Sequence, residues 1–382
     1  MVAGWRDVIA EAMIVQAHAF RGGYDGWGVN RVPTGFSAQS GMMPGMRAVG
    51  LREIRFGERW REWAKWSWRA GHWLREWGNA YYGSGWNSLT PWWDERGVLR
   101  QLPHRREAYP VHFWWGEFAA PKRVAPYHRK GAKVVVSVHC SARRWKNVWL
   151  RPDGYAEADA VVLTSDSQRQ FVEQVVPRER VRRVLHGVVS GYFTPGHRER
   201  SGGGKLRLFL MGNTERNHAF TAELARRLDP AKFEWRVRTV SHERSCYEGI
   251  ECVKLLGRLS DDEMLEEYRQ ADLLCMPMLD SAANNVFLES MACGTPVMTN
   301  EVGGAREYMG NVNILMPQDA DEDAWAGELE RWRERREVLE GMRAGVRTWA
   351  ERFDWKCIAP QYWKLYDEVC GGGGGGKLKH NE

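Results

Sequence analysis

Residues 281–298 read SAANNVFLESMACGTPVM and place one carboxylate, Glu289, among small and apolar side chains. The stretch follows an apolar run typical of a buried strand and favours a helix that begins between Ser281 and Asn285. The unpaired N–H groups and positive dipole end of a helix N-terminus can bind a diphosphate. A carboxylate one turn further along can accept both hydroxyls of a ribose. The pattern therefore predicts nucleotide binding, although a half-buried helix with one solvated glutamate is equally compatible with it.

The elements around this stretch alternate between short apolar runs and helical patterns, as in α/β proteins with parallel sheets. The strands predicted in the first half are 13–20, 51–56, 110–115, 133–140, 160–165 and 181–187. Those predicted in the second half are 206–212, 233–240, 252–257, 271–278 and 294–300. DDEMLEEYRQ (261–270) predicts a helix because its acidic start suits the helix dipole. We expect two Rossmann-like, doubly wound lobes that face each other across a cleft.

Composition narrows the class of protein further. A length of 382 residues suits two domains, and 43% apolar residues exclude a disordered chain. The seven cysteines are scattered, so neither a disulfide framework nor a zinc site is predicted. Asp7 and Glu11 interrupt the apolar stretch that a signal peptide needs, and no apolar run is long enough to cross a membrane. We expect a cytoplasmic protein.

Charge is divided unevenly along the chain. Residues 1–200 hold 31 Lys and Arg against 18 Asp and Glu, whereas the remainder holds 24 against 31. Such asymmetry indicates two lobes with different partners. HRERSGGGK (197–205) lies at the change and, with its charges and glycines, is typical of a linker.

Residues 253–309 resemble the donor-binding segment of family 4 retaining glycosyltransferases of the GT-B fold. The shared features are a strand ending in Gly, a helix ending in Tyr-x-x-Ala-Asp, an E-x7-E motif and a Gly-Gly-x-x-Glu turn. The first half is similar to this family more loosely, in the glycine-containing loop at 34–54, the strand that ends near His139 and the domain exit at 185–196.

The resemblance implies a domain organisation. It comprises an N-terminal acceptor-binding lobe at 1–196, a linker at 197–205, a C-terminal nucleotide-sugar-binding lobe at 206–350, terminal helices at 351–370 that cross back to the first lobe, and a tail at 371–382. We expect the glycine-rich tail to be disordered.

The resemblance also implies roles for individual residues. Glu289 would bind the ribose of a nucleotide sugar, and the backbone N–H groups of Asn284, Asn285 and Val286 would bind its diphosphate. The other implied donor-binding residues are Gly35, Gly212, Arg258, Leu259 and Glu307, the last beside Gly303 and Gly304.

Two positions depart from the family pattern. Ser281 stands where the first Glu of E-x7-E is expected, and the neighbouring Asp280 is the carboxylate that can replace it. The usual Arg and Lys after the first strand of this lobe are replaced by MGNTERNH (211–218). Within that loop Arg216 is the best phosphate ligand, because its fork matches phosphate oxygens, and His218 is a weaker one.

The predicted chemistry is sugar transfer with three catalytic residues, His139, Arg216 and Asp280. Arg216 and the helix N-terminus would stabilise the departing diphosphate without a metal, and His139 would line the sugar site. The resemblance implies retention of anomeric configuration. No metal, no other cofactor and no stable protein partner are predicted; the donor is a nucleotide diphosphate sugar, with UDP favoured and GDP as the alternative.

The acceptor is predicted to be anionic because the first half is basic. The residues proposed for its surface are Arg105, Arg106, Arg143, Arg144 and Lys146. Arginine interleaved with tryptophan at 58–93 suits DNA bearing a hydroxymethylpyrimidine, which is narrowly favoured. The alternatives are an envelope lipid or polysaccharide acceptor, with the protein at the inner membrane face, and, more distantly, a non-catalytic nucleotide-sugar binding protein. A purely structural role for these tryptophans and arginines is also compatible with the pattern.

Overall fold

The computed structural model describes residues 99–100, 102–114, 116, 121, 123–148, 153–198, 204–239 and 241–371, together with two N-terminal strands. The strands are β1 Ala12–Gln16, β2 Met46–Gly50, β3 Tyr109–Phe113, β4 Ala132–Val138, β5 Ala160–Leu163, β6 Val181–Arg183, β7 Leu206–Met211, β8 Phe233–Arg238, β9 Val253–Leu255, β10 Leu273–Cys275, β11 Val297–Asn300 and β12 Ile314–Met316. The helices are α1 Ala125–His128, α2 Ala142–Val148, α3 Asp153–Ala156, α4 Arg169–Val172, α5 His218–Arg227, α6 Ser241–Arg244, α7 Asp261–Gln270, α8 Asn285–Ala292, α9 Ala305–Met309, α10 Glu322–Glu334, α11 Arg336–Glu351 and α12 Trp355–Gly371.

The strands form two parallel sheets, each with its own core. The first sheet has the order β2-β1-β3-β4-β5-β6 and the second β12-β11-β10-β7-β8-β9. Both orders are those of doubly wound sheets, in which helices cover both faces of the sheet. The strands are therefore buried on both sides and form continuous apolar runs in the sequence. The predicted fold class, α/β with two Rossmann-like lobes, is confirmed.

Two strand predictions differ from the structure. The second strand lies at Met46–Gly50 rather than at 51–56, a stretch outside the described residues. β12 was not predicted, because three residues within NILMP are too few to show a pattern. The helix at 261–270 is confirmed to the residue. Oγ of Ser260 accepts the N–H of Glu263 as its cap, and the Glu263 carboxylate accepts the N–H of Ser260 in return.

The chain divides into two compact units at 184/185 and 358/359. The sequence placed the first boundary at 196 and the return at 351. Residues 185–196 go with the second unit because Val188 forms a backbone bridge with Asp354, whose carboxylate also accepts hydrogen bonds from Ser190. From residue 359 onward, α12 belongs to the first unit, where Tyr362 and Tyr366 pack against His112.

Candidate nucleotide-binding site in the second unit

The second sheet changes direction between β7 and β10. These strands are hydrogen-bonded neighbours, yet they are the first and fourth strands of this unit along the chain. In doubly wound sheets, ligands bind outside the carboxyl ends of the strands at such a switch point. The loop that follows β7 contains Arg216, and the loop that follows β10 leads into α8. The fold therefore brings together the two loops that the sequence selected for phosphate binding.

The N-terminus of α8 is capped by its own sequence. The side-chain Oδ1 of Asn284 accepts the N–H of Val286 at 3.1 Å, as a helix cap requires. The N–H of Val286 is thus engaged in the cap rather than directed at a ligand, which differs from the sequence prediction. Within the described part of the chain, the N–H of Asn285 donates to no acceptor, so it is the amide best placed for an anion.

Arg216 is held in place by three acceptors. Its Nε donates to the carbonyl of Met211 at 3.1 Å, Nη1 to that of Thr214 at 2.6 Å, and Nη2 to Oδ1 of Asn284 at 3.3 Å. A guanidinium has five N–H donors, so one N–H on each terminal nitrogen remains. Burial lowers the pKa of Arg216 to about 10, and the group stays charged at neutral pH. Arg216 is therefore a fixed positive charge with two N–H donors available for phosphate oxygens.

Gly212 and His218 shape the loop around Arg216. Gly212 has φ +97°, a left-handed conformation that favours glycine, and a Cβ there would lie 3.1 Å from the guanidinium of Arg216. Both the backbone conformation and the lack of space therefore favour glycine at this position. His218 is buried, and its ring bonds Tyr247 at 2.7 Å, the carbonyl of Gly212 at 3.1 Å and Thr239 at 3.1 Å. His218 thus supports the backbone of the loop, in contrast to its predicted contact with phosphate.

Glu289 lies in the second turn of α8 and is buried. Its Oε2 accepts the hydroxyl of Tyr268 at 2.7 Å. Burial raises the pKa of Glu289 to about 7, although the Tyr268 hydroxyl and the charge of Arg216 oppose that rise. Burial also raises the pKa of Tyr268 well above its usual value, so Tyr268 remains the donor. A buried carboxylate with one oxygen fixed can present the other to a ribose hydroxyl.

This raised pKa predicts a pH-dependent stability. Between the unfolded value near 4.5 and about 7, the folded state binds the extra proton, so the free energy of unfolding falls as pH rises through this window. Between pH 4.5 and pH 8, the free energy of unfolding of the wild type should fall by roughly 3 kcal/mol relative to that of Glu289→Gln, which cannot ionise at this position. Above pH 8 the difference between the two proteins should stay constant. Urea unfolding of both proteins from pH 4.5 to 8.5 measures it; parallel curves would contradict the burial of an ionisable Glu289.

The loop that precedes α8 is packed against the Gly-Gly turn. The N–H of Ser281 donates to Oδ1 of Asp280 at 2.7 Å, and the N–H of Gly304 donates to the Ser281 carbonyl at 2.7 Å. A Cβ on Gly303, which has φ +50°, would lie 1.9 Å from that carbonyl. Asp280 therefore has one oxygen fixed beside the residue that replaces the family Glu, and the turn admits only glycine at 303.

The remaining predicted donor-binding residues lie near the same sheet edge. Arg258 is exposed and Leu259 half-buried after β9, and Glu307 is half-buried in α9. Asp321 caps α10, because its Oδ1 accepts the N–H of Ala324 at 2.9 Å.

In the first unit, His139 directly follows β4 and is half-buried, with its ring 6.0 Å from that of Trp114. His112 is fully buried: Nδ1 bonds Tyr366 at 2.6 Å and Nε2 bonds Ser137 at 2.8 Å. Burial lowers the pKa of His112 to about 3. His112 is thus a neutral core residue, whereas His139 lies at the carboxyl edge of the sheet, where ligands bind.

The arginines predicted for the acceptor surface lie on two opposite edges of the first sheet. Arg105 and Arg106 precede β3, and the N–H of Arg105 donates to Lys130, which precedes β4. Arg143 and Arg144 follow β4 in α2. Because β3 and β4 are parallel, the first pair marks the amino edge and the second the carboxyl edge. The structure therefore does not bring the four together.

Several predicted features lie outside the described residues. These are Gly35, the tryptophan-rich segment at 58–93, the tail at 372–382 and the side chain of Lys146, whose backbone belongs to α2. In the part of the chain that the structure covers, no group of three or more His, Cys, Asp or Glu lies together as metal ligands would. No described helix is both long and apolar enough to span a bilayer.

Sequence reasoning missed two residues that organise the site. Tyr268 holds Glu289 from a different helix, 21 positions away, and its only signal was the Tyr-x-x-Ala-Asp feature. Asn300 fixes the exit from β10: its side chain accepts the N–H of Met278 at 2.8 Å and donates to the carbonyl of Met278 at 2.9 Å. No local spacing connects β11 to that loop, so no pattern could have shown the contact.

The two doubly wound lobes and the switch-point site define a protein of the GT-B fold. Residues 205–334 match the model of the family described as glycosyl transferases group 1. The resemblance to family 4-like glycosyltransferases noted from the sequence is thereby confirmed in this segment.

Solved structures agree with the fold. Sucrose-phosphate synthase from Thermosynechococcus elongatus has a TM-score of 0.59 at 15% identity, over 74% of this chain and 80% of that one. Anabaena HepE, crystallised with UDP and glucose, has a TM-score of 0.55 at 13% identity, over 71% and 80%.

Relatives by sequence match about a third of this chain. D-inositol 3-phosphate glycosyltransferase of Streptomyces bingchenggensis is 35% identical over 115 residues, which are 30% of this chain and 25% of that protein. Phosphatidyl-myo-inositol mannosyltransferase of Mycolicibacterium smegmatis is 29% identical over 124 residues, 32% of each. The matched segments thus span between a quarter and a third of these relatives.

Proposed function

We propose that this protein is a glycosyltransferase that moves a sugar from a nucleoside diphosphate sugar to a hydroxyl of an anionic acceptor. The observation that carries the proposal is the placement of Arg216 against Asn284, the cap of α8, with buried Glu289 one turn away. This arrangement offers a cation and a helix N-terminus to a diphosphate and a carboxylate to a ribose. The family match over the same residues supports the proposal independently.

The proposed chemistry is stabilisation of a leaving diphosphate. As the bond between the sugar and the diphosphate breaks, negative charge grows on the phosphate oxygens. In this proposal the two remaining N–H groups of Arg216 and the N–H of Asn285 donate hydrogen bonds to those oxygens and stabilise the charge. Asp280 and His139 remain the proposed residues around the transferred sugar. A retaining, metal-independent reaction is the corresponding proposal for the mechanism.

The proposed acceptor is a phosphorylated alcohol or a phospholipid headgroup. The excess of basic residues in the first 200 positions favours an anion, and two relatives are named for inositol 3-phosphate and phosphatidyl-myo-inositol. Their names do not refer to DNA, and the tryptophan-rich segment on which the DNA hypothesis depended lies outside the described residues. The narrow preference for DNA therefore finds no support here.

For the acceptor, two exposed arginines form a matched pair of variants. Arg143 lies at the carboxyl edge of the first sheet and Arg106 at the amino edge. We expect Arg143→Glu to lower transfer to D-inositol 3-phosphate at least about tenfold, because a charge-assisted contact contributes about 1.5–3 kcal/mol. We expect Arg106→Glu to leave the transfer rate within about twofold of the wild type. Initial rates with a fixed donor, after subtraction of donor hydrolysis, measure both.

Equal losses in the two variants would place the acceptor away from the carboxyl edge. The same assay with phosphatidylinositol vesicles and with hydroxymethylated duplex DNA ranks the acceptor classes. Transfer to DNA alone would overturn the proposed acceptor while leaving the glycosyltransferase assignment intact.

For the donor site, calorimetric titration with UDP, GDP, uridine and guanosine tests the proposal. We expect at least one diphosphate to bind at least about tenfold more tightly than its nucleoside, because Arg216 contributes only when the diphosphate is present. Equal affinities would show that Arg216 and α8 do not hold the diphosphate.

A further inference from the structure

We propose that Asn300, the last residue of β11, is a positioning residue for the diphosphate of the donor. Its side chain holds the loop that follows β10, and that loop in turn fixes the backbone of Arg216. The inference rests on the donor site proposed above and adds to it a residue that acts through Arg216. Its basis is a series of hydrogen bonds that runs from β11 to the loop at 211–218.

The side chain of Asn300 extends the pairing of β10 with β11. Alternate residues of this segment donate their N–H groups to β11, and the last to reach a backbone carbonyl is Met276, which donates to Met298 at 2.9 Å. The next in this series, Met278, would donate to the carbonyl of Asn300, but that carbonyl accepts the N–H of Val302 at 3.0 Å. Instead, Oδ1 of Asn300 accepts the N–H of Met278 at 2.8 Å, and Nδ2 donates to the Met278 carbonyl at 2.9 Å. A side-chain amide has the donor and the acceptor of a peptide group, so Asn300 replaces one step of backbone pairing.

Met278 is paired on its other side with Arg216. The two residues lie opposite each other in an antiparallel bridge, and one backbone hydrogen bond flanks them on each side. These bonds run from the N–H of Asn217 to the carbonyl of Pro277 at 2.9 Å and from the N–H of Leu279 to the carbonyl of Glu215 at 2.8 Å. The backbone position of Arg216 therefore depends on that of Met278, which Asn300 holds.

The backbone of Glu215 indicates that this bridge determines the shape of the loop. Glu215 has φ +60°, a left-handed conformation that residues other than glycine rarely adopt and that persists only where surrounding contacts enforce it. Its carbonyl is the acceptor of the Leu279 N–H, so the bridge is one of the contacts that enforce it. When Met278 is released from Asn300, we expect Glu215 to relax and the guanidinium of Arg216 to lose its fixed orientation.

The test is calorimetric titration of the full-length wild type and of Asn300→Ala with a nucleoside diphosphate and with its nucleoside, either UDP and uridine or GDP and guanosine. In Asn300→Ala we expect the ratio of the two affinities to fall at least about fivefold, because Arg216 contributes only when the diphosphate is present. The affinity for the nucleoside should stay within about twofold of the wild type. In Arg216→Gln, the additional change Asn300→Ala should cause no further fall in the ratio, because the two residues act as one unit.

Asn313→Ala is the matched control, because Asn313 makes the same two kinds of hydrogen bond at the other end of β11. Its Oδ1 accepts the N–H of Val297 at 2.9 Å, and its Nδ2 donates to the carbonyl of Met309 at 2.8 Å. Both variants should lower the melting temperature, but Asn313→Ala should keep the wild-type ratio of affinities. If Asn300→Ala does not fold, Asn300→Asp, which has the same shape and keeps the acceptor, takes its place in every titration.

The outcomes separate the role of Asn300 from the donor site itself. A wild-type ratio of affinities in the Asn300 variant, an equal loss in Asn313→Ala, or a full further loss in the Arg216→Gln background would overturn the role of Asn300 and leave the donor site intact. A wild type that binds the diphosphate no more tightly than the nucleoside would overturn the donor site and this inference with it. None of these measurements depends on sugar transfer.

Discussion

Arg216→Gln is expected to lower the turnover of a nucleoside diphosphate sugar by about 100- to 1000-fold, the usual cost of losing a donor that stabilises a developing negative charge. The effect is large because Arg216 is the fixed cation of this loop, held by Met211, Thr214 and Asn284 and still charged at neutral pH. The fall should appear mainly in kcat, because negative charge on the diphosphate grows only as the bond to the sugar breaks.

Two further variants separate the geometry of Arg216 from its charge. Arg216→Lys keeps the charge and loses the fork, so it should recover only part of the lost rate. Arg331→Gln removes an exposed arginine on α10 that pairs with Glu328, and it should not change the rate. If Arg216→Gln turned over the donor at the wild-type rate, the diphosphate would have to leave from another part of the molecule.

Glu289→Ala is expected to weaken nucleoside diphosphate binding by about 100-fold. A carboxylate that accepts a ribose hydroxyl makes charge-assisted hydrogen bonds of about 1.5–3 kcal/mol each, and its removal also leaves the buried hydroxyl of Tyr268 without its acceptor. The loss should appear in the dissociation constants of both the nucleoside and the diphosphate, because the ribose is common to them. Titration of uridine and UDP, or of guanosine and GDP, measures it.

Tyr268→Phe is the matched control for Glu289→Ala. It removes the hydroxyl that donates to Glu289 and leaves the carboxylate in place, so the pKa of Glu289 should rise above about 7. Nucleotide affinity should then fall at pH 7 and recover near pH 9. A Glu289→Ala variant that binds both nucleosides as the wild type does would remove Glu289 from the ribose site.

The extent to which the sequence predicts this structure depends on the range of the interactions. The helix at 261–270 and the strands β7 to β11 of the second sheet follow from local patterns, since capping residues and apolar runs are contiguous in the chain. Glu289 stood out for the same reason: it is a lone carboxylate in an apolar helix, and the structure buries it.

Contacts between distant segments could not be predicted in this way. Two hydrogen bonds form only when the strands are assembled: that from Tyr268 to Glu289 and that from the Met278 N–H to Asn300. The role of His218 was misjudged because its sequence position suggested phosphate, whereas the folded loop turns the ring towards Tyr247 and Thr239. Likewise, only the register of parallel β3 and β4 shows that Arg105 and Arg143 lie at opposite edges.

The most direct test of sugar transfer by this protein is the release of nucleoside diphosphate from a panel of UDP- and GDP-sugars, followed with and without D-inositol 3-phosphate. The account predicts that at least one donor is broken down, slowly by water and faster with a suitable acceptor, and that Arg216→Gln lowers this release at least about 100-fold. A protein that binds the nucleotides tightly but releases no diphosphate from any donor, with any acceptor, would be a binding protein that has the fold without the reaction.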